Sequence, residues 1–167
     1  MLPIKLKAKK AYSGDTYTGD TWNIYDIVST QTSGAIVSGA TYSILKYVTG
    51  DNFTNVGGVN KSETRFTASG TTPTTYTNGS TLLRIALKDF TDVVSVKAEF
   101  YHRGVKMLTM TDLSGIELIS DGVFRIAKQL VTLNAMCLDF DVQFTYGNGD
   151  VLTLVKGTWP IENDLTQ

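Results

Sequence analysis

From Leu138 to Tyr146 the chain alternates without a break. Leu138, Phe140, Val142, Phe144 and Tyr146 fall on one side, and Asp139, Asp141, Gln143 and Thr145 on the other. Successive side chains of a strand point to opposite faces, so this stretch buries one face and wets the other only as an extended strand. Gly147-Asn148-Gly149-Asp150 follows, rich in residues that accept positive φ, and Val151 to Trp159 is again β-rich. Two strands around such a loop form a hairpin. Pro160 has no N–H to give to a ladder and is expected to end the second strand.

The same signal recurs upstream. Val94, Val96, Ala98 and Phe100 share one face of a strand over 93–101, with Ser95, Lys97 and Glu99 on the other. Arg103-Gly104 then turns the chain into a strand over 105–111. Shorter strands are expected at 82–87, with Leu83, Ile85 and Leu87 on one side, and at 22–28 and 41–48. Abundant Thr, Tyr and Gly suit pleated surfaces and tight connections. These features predict an all-β chain, an antiparallel β-sandwich of jelly-roll-like type. A length of 167 residues fits a single domain with a real core.

Two segments depart from this pattern. Ile126, Leu130, Leu133 and Cys137 have helical spacing, and Ala127, Lys128 and Gln129 favour helix. A short helix is therefore expected near 126–134, against the opposing reading of a loop crossing between sheets. Gly50 to Ser80 is full of Gly, Thr, Asn and Ser, with Phe53, Val56, Phe66 and Tyr76 as apolar anchors. An inserted loop or hairpin carrying short strands of its own is expected at about 50–80, because long structureless loops are uncommon in compact domains.

Residues able to carry chemistry are few. His102 is the one histidine and sits at a strand end beside a turn, while Cys137 is the one cysteine. No internal disulfide can form, and the usual His/Cys zinc sets cannot assemble. Cys137 reads as a small buried hydrophobe among Met136, Leu138 and Leu133. Asp139 with Asp141, and Asp15 with Asp20, are carboxylate pairs of the kind used in acid–base work or calcium binding. Solubility of an exposed strand face and turn formation explain them more simply. Gly57-Gly58 lacks the strand-before, helix-after setting of a nucleotide loop. The three Asn-x-Ser/Thr triplets at 52, 60 and 78 are read as coincidental in a Thr-rich chain. No catalytic residue, cofactor site or metal site is expected, and the chain is read as not an enzyme.

The net charge of −1 gives no electrostatic reason to expect nucleic acid or an anionic membrane as partner. Lys5, Lys7, Lys9 and Lys10 suggest the wet side of an edge strand. No apolar run approaches the ~18 residues of a membrane span. No apolar h-region follows Met1-Leu2-Pro3-Ile4-Lys5, so folding in a cytoplasm is expected. Eight tyrosines and two tryptophans could line a saccharide-binding face, though aromatics spread over strands more often pack inside.

A resemblance appears at 41–82. Thr41-Tyr42-Ser43-Ile44 leads to Gly50-Asp51-Asn52-Phe53-Thr54-Asn55-Val56-Gly57, then Asn60, then Phe66-Thr67-Ala68-Ser69-Gly70-Thr71 and Asn78-Gly79-Ser80-Thr81-Leu82. This resembles a segment of tail, fibre and baseplate-associated proteins of tailed bacteriophages. The glycine usual shortly after the asparagine is replaced here by Lys61-Ser62-Glu63-Thr64. Asp121-Gly122-Val123-Phe124-Arg125-Ile126, Asp139-Phe140-Asp141-Val142, Gly149-Asp150-Val151, Gly157-Thr158-Trp159-Pro160-Ile161 and Asp164-Leu165-Thr166 are similar to the ending of small baseplate and tail β-domains. The upper-baseplate N-terminal type is among these, and Gly14-Asp15-Thr16 fits their opening.

The resemblance implies a late-gene product of a siphophage of Gram-positive bacteria. It implies a sandwich similar to the shoulder domain of lactococcal phage receptor-binding proteins, and no catalytic residues. It further implies a virion tail location after assembly in the host cytoplasm, with other tail or baseplate proteins as partners and several copies per particle. The alternative role is a receptor-binding module for host cell-wall saccharide. The 50–80 loop, through Phe53, Asn55, Asn60, Phe66 and Tyr76, is the expected contact surface.

Overall fold

The computed structural model describes residues 4–13, 16–134 and 136–163. Among these residues fifteen strands follow one another: β1 (Ile4–Lys7), β2 (Ala11–Ser13), β3 (Thr16–Tyr17), β4 (Asp20–Asn23), β5 (Tyr25–Gln31), β6 (Thr41–Lys46), β7 (Thr64–Thr67), β8 (Thr81–Leu87), β9 (Val93–His102), β10 (Val105–Thr111), β11 (Ile116–Ser120), β12 (Val123–Ile126), β13 (Gln129–Leu130), β14 (Met136–Tyr146) and β15 (Val151–Asn163). The chain is all-β, and its one helical element among the described residues is a single 3-10 turn at Thr54–Val56. No helix among those residues is long and apolar enough to cross a membrane.

Two compact units divide the chain: Met1–Ile24 with Asp89–Gln167, and Tyr25–Lys88. The 50–80 segment lies wholly inside the second. That unit also contains β5, β6 and β8. The strand expected over 22–28 is correspondingly two strands, β4 and β5. They are separated at the fully buried Ile24, whose N–H donates to Gly122 O at 2.7 Å.

The first unit is a sandwich. Its larger sheet has the order β1-β15-β14-β9-β10, with β2 also on β15, and is antiparallel except along β1 and β2. The alternating residues behave as expected: Leu138, Phe140, Val142 and Phe144 of β14, and Val96, Ala98 and Phe100 of β9, are buried. Val94, expected on the same face, is exposed near the end of its strand. Arg103 and Gly104 both have positive φ, 51° and 80°, as a two-residue hairpin turn with right-handed strand twist requires. The facing sheet has the order β11-β12-β4. Trp22 lies 6.1 Å from Phe140 between ring centroids and Phe124 5.7 Å from Phe144, so rings of the two sheets interleave across the core.

Three local expectations are corrected here. Residues 126–134 form no helix. Ile126 closes β12 opposite Asp20, and Gln129–Leu130 pair with Thr16–Tyr17 as β13 on β3. The four-three-four spacing holds, but Ile126 is buried while Cys137 is exposed, so no common face exists. Sheet partners supplied from the N-terminal segment outweigh the weak helix preference of 127–129. Cys137 is not a buried hydrophobe either, because β14 turns Leu138 inward and Cys137 outward. Finally, β15 runs through Pro160 to Asn163. Its edge partner is interrupted between Lys7 of β1 and Ala11 of β2, beside Pro160, where a residue without an N–H is tolerated.

The second unit is a four-stranded antiparallel sheet, β5-β8-β6-β7. Tyr42 and Ile44 of β6, Phe66 of β7 and Leu82 of β8 face one core, which is closed by Ile36, Phe53, Val56, Ala68 and Tyr76 from the connections. Leu82 and Ile85 are the buried residues of β8. Leu83 and Leu87, expected on a shared apolar side with Ile85, are half-buried and exposed.

Candidate functional site

The loop linking β6 to β8 is organised by one carboxylate. Asp51 is 2% exposed. Its Oδ1 accepts from Thr77 N at 2.8 Å, Asn78 N at 2.9 Å and Asn78 Nδ2 at 3.1 Å, and its Oδ2 from Ser80 N at 3.0 Å. Ser80 Oγ in turn accepts from Val48 N at 2.8 Å. A side chain from 51 therefore supplies acceptors for backbone donors of 77–80, which have no ladder to join. Burial alone would raise the Asp51 carboxyl. The N–H groups of Asn78, Ser80 and Thr77 with the Ser80 side chain outweigh burial and hold it well below the ordinary carboxylate range.

Three asparagines complete the bracing. Asn60 Oδ1 accepts from Phe53 N at 2.9 Å, and Asn60 Nδ2 donates to Asn52 Oδ1 at 3.2 Å. Asn55 grips the opposite limb: its Nδ2 donates to Thr72 O at 2.8 Å, and its Oδ1 accepts from Thr74 N at 2.9 Å. Gly58 is needed for space, because a Cβ there would sit 2.7 Å from Phe53 Cβ. Each asparagine of the three Asn-x-Ser/Thr triplets is engaged within the loop.

The expected contact residues thus separate into two groups. Phe53, Phe66 and Tyr76 are buried, with Phe53 edge-on to Tyr76 at 5.1 Å and 6.4 Å from Phe66. They anchor the loop as expected, but their rings do not form its outer surface. The Tyr76 hydroxyl donates to Gln31 O at 2.6 Å, and burial, above all, pushes it up to about 12. Asn60 is half-buried and turned inward, and Asn55 is exposed with its amide committed to Thr72 and Thr74. A shallow groove of about 350 Å³ lies between Gly34–Ala35, in the β5–β6 connection, and Thr72–Thr77, where Pro73 and Tyr76 are buried.

Asp51 and the groove escaped the sequence reading. A Gly-Asp pair reads as a turn, and nothing in one dimension shows that 51 meets 77–80. The available signal was the density of short polar side chains, Asp, Asn and Ser, which bond readily to backbone.

The remaining candidates lie apart. His102 is half-buried, with Nδ1 3.1 Å from Cys137 O. Asp139 is exposed opposite Tyr101 in the register, and Asp141 lies directly opposite Glu99. Burial and the Glu99 charge raise Asp141. Glu99 is lowered by the Tyr101 hydroxyl, which donates to it at 2.7 Å, and by Lys106 and Lys97. Asp20 is buried and accepts from Lys9 N and the Tyr17 hydroxyl, both at 2.6 Å, while Asp15 lies outside the described residues. Among the described residues no group of three or more His, Cys, Asp or Glu side chains is placed to hold a metal ion. Comparison with protein-family models, with curated proteins and with solved structures finds no match to this chain.

Proposed function

We propose that this chain is a non-enzymatic structural or accessory protein of a bacteriophage tail or baseplate, acting through protein–protein contacts. The observation that carries the reading is what the tail-like segment does in the fold. Asp51, Phe53, Asn60, Phe66 and Asn78, the residues on which the resemblance rests, pack or brace the cap of the second unit. The motif therefore specifies a shape, which is what an assembly protein needs from a recurring segment.

Edge strands supply surfaces for such contacts. The β5 edge exposes Ile27 at 59% and Val28 at 53%, and the β10 edge exposes Val105 at 63%. Strand edges carry backbone groups able to pair with another chain. Neighbouring tail proteins or further copies of this chain are the partners, met in the host cytoplasm during assembly. Peptide mass spectrometry of purified virions tests the reading. The chain is expected in fixed ratio to the other tail proteins, and its absence from particles overturns a structural role.

A further inference from the structure

We propose that the tip of the β14–β15 hairpin is a self-modifying site. There Asn148 loses its side-chain amide through attack by the Gly149 nitrogen, while the Asp51 brace shields the identical Asn78-Gly79 pair from the same reaction. This goes beyond the tail assignment and does not depend on it.

The chain has two Asn-Gly pairs, at 78–79 and 148–149. Glycine after asparagine leaves the following nitrogen unhindered, since no Cβ stands beside it. In the reaction that nitrogen gives its proton to a solvent base and bonds to the asparagine Cγ. The Cγ–Nδ2 bond breaks, and the departing nitrogen takes a proton from water and leaves as ammonia. A cyclic imide remains. Water opens either imide carbonyl, giving aspartate or the isomer whose main chain runs through the side-chain carbon. The net change is amide and water to acid and ammonia.

At 148 the fold favours the attack. Gly147-Asn148-Gly149-Asp150 is exposed throughout. Asp150 N donates to Asn148 Oδ1 at 3.0 Å. The ring closed by that bond contains Gly149 N, so the side-chain carbonyl is held beside its attacker. The same N–H faces the oxygen on which negative charge develops. Gly149 N–H donates to Tyr146 O at 2.9 Å, and at an exposed tip water replaces that bond when it opens. Beyond its chain neighbours, no atom lies within 4 Å of where a Gly149 Cβ would stand, which leaves room for the imide ring.

At 78 the amide is turned the other way. Asn78 Nδ2 and the Asn78 backbone N both donate to Asp51 Oδ1, at 3.1 and 2.9 Å. The amide is thus held toward its own N–H and away from Gly79 N. Among the described residues no donor bonds to Asn78 Oδ1. Gly50 closes over the amide, since a Cβ there would sit 2.9 Å from Asn78 Nδ2. A carboxylate accepts from the amide nitrogen at both sites, Asp150 Oδ2 doing so from Asn148 Nδ2 at 2.9 Å. Asp150 is exposed and screened, whereas Asp51 is buried and its charge opposes an anionic intermediate.

The test is peptide mass spectrometry of the full chain after incubation in mildly alkaline buffer, once folded and once in urea. In the folded chain the peptide carrying Asn148 is expected to gain the mass of an amide turned to an acid and to split into two isomers. It should convert at least about tenfold faster than the peptide carrying Asn78. In urea, where both asparagines precede glycine without a fold around them, the two should convert at similar rates. Asp51→Ala should speed conversion of Asn78 at least about tenfold and leave Asn148 unchanged. If that variant does not fold, the folded and urea rates of the natural chain decide. No conversion at 148 in the folded chain, conversion of Asn78 as fast as Asn148 there, the same disparity in urea, or an unchanged Asn78 rate in folded Asp51→Ala each overturns the proposal.

Discussion

In the unit of residues 1–24 and 89–167, Trp159 packs 5.0 Å from Tyr17 and 5.3 Å from Phe100, one contact in a chain of rings filling the space between two sheets. In the unit of residues 25–88, Phe53 and Tyr76 cover a single sheet from a loop, and that loop is held by Asp51, Asn55 and Asn60. The first region is closed by regular elements whose backbone groups are paired in ladders. The second is closed by irregular chain whose donors and acceptors must be met by side chains. Dispersion and burial dominate one region, while directed hydrogen bonds to a charged group fix the other.

Substitutions can separate these modes. The largest effect is expected for Trp159→Ala, which opens a cavity in the sandwich and should cost about 4 kcal/mol by denaturant unfolding. Hydrogen exchange should place the loss in β9, β14 and β15, and leave the β6–β8 loop protected. Equal loss of protection in both units would show that their stabilities are not separable.

Asp51→Ala comes next, at roughly 3 kcal/mol, because it orphans several buried backbone donors at once. Its signature is local: the amides of Thr77, Asn78 and Ser80 should exchange freely while β14 stays protected. The same carboxylate gives the loop a pH dependence. Its pKa is lower in the folded chain than in the unfolded one. Its stabilisation is therefore complete above the unfolded value of about 4, and is lost as pH falls from there toward the depressed folded value. Exchange of the Ser80 amide measured against pH should show this, and the dependence should vanish in Asp51→Ala.

Gly58→Ala is expected to cost about 2 kcal/mol, through the close approach to Phe53 rather than lost hydrogen bonds. Thermal unfolding would read the loss, and a wild-type midpoint would mean that the loop gives way more easily than its bracing suggests. The smallest effect has the opposite sign. Asp141 faces Glu99 across β14 and β9, and like charges directly opposite destabilise a sheet. Its pKa is raised on folding, so the ionised form subtracts stability at neutral pH. Asp141→Asn should gain about 0.5 kcal/mol near pH 7. The gain should shrink as pH falls through the carboxylate range, as urea midpoints at several pH values would show.

The difference between the regions also explains what could be read from the residues. Strands β9, β10, β14 and the β14–β15 hairpin follow from alternation, because one buried face imposes period two on the sequence. The 50–80 anchors were legible for a similar reason: isolated Phe53, Phe66 and Tyr76 in polar chain have nowhere to go except a core. Which residues of the loop face outward was not, since exposure depends on which neighbours cover each one. The helix expected at 126–134 failed because a spacing pattern is local, whereas the partner of β13 is Thr16–Tyr17, far away in sequence.

The sequence by itself determined that this chain forms sheets, where its best strands lie and which of their faces turn inward. Those properties depend on the order of apolar and polar residues, and that order is present in one dimension. Tertiary structure alone decided that 25–88 forms a separate unit, that β15 continues through Pro160 where its edge partner breaks, and that Asp51 closes the loop at 77–80. Each of these turns on a pairing between distant residues. A lone Asp, Pro or Asn specifies what it can bond to, and only the folded chain supplies which group is there.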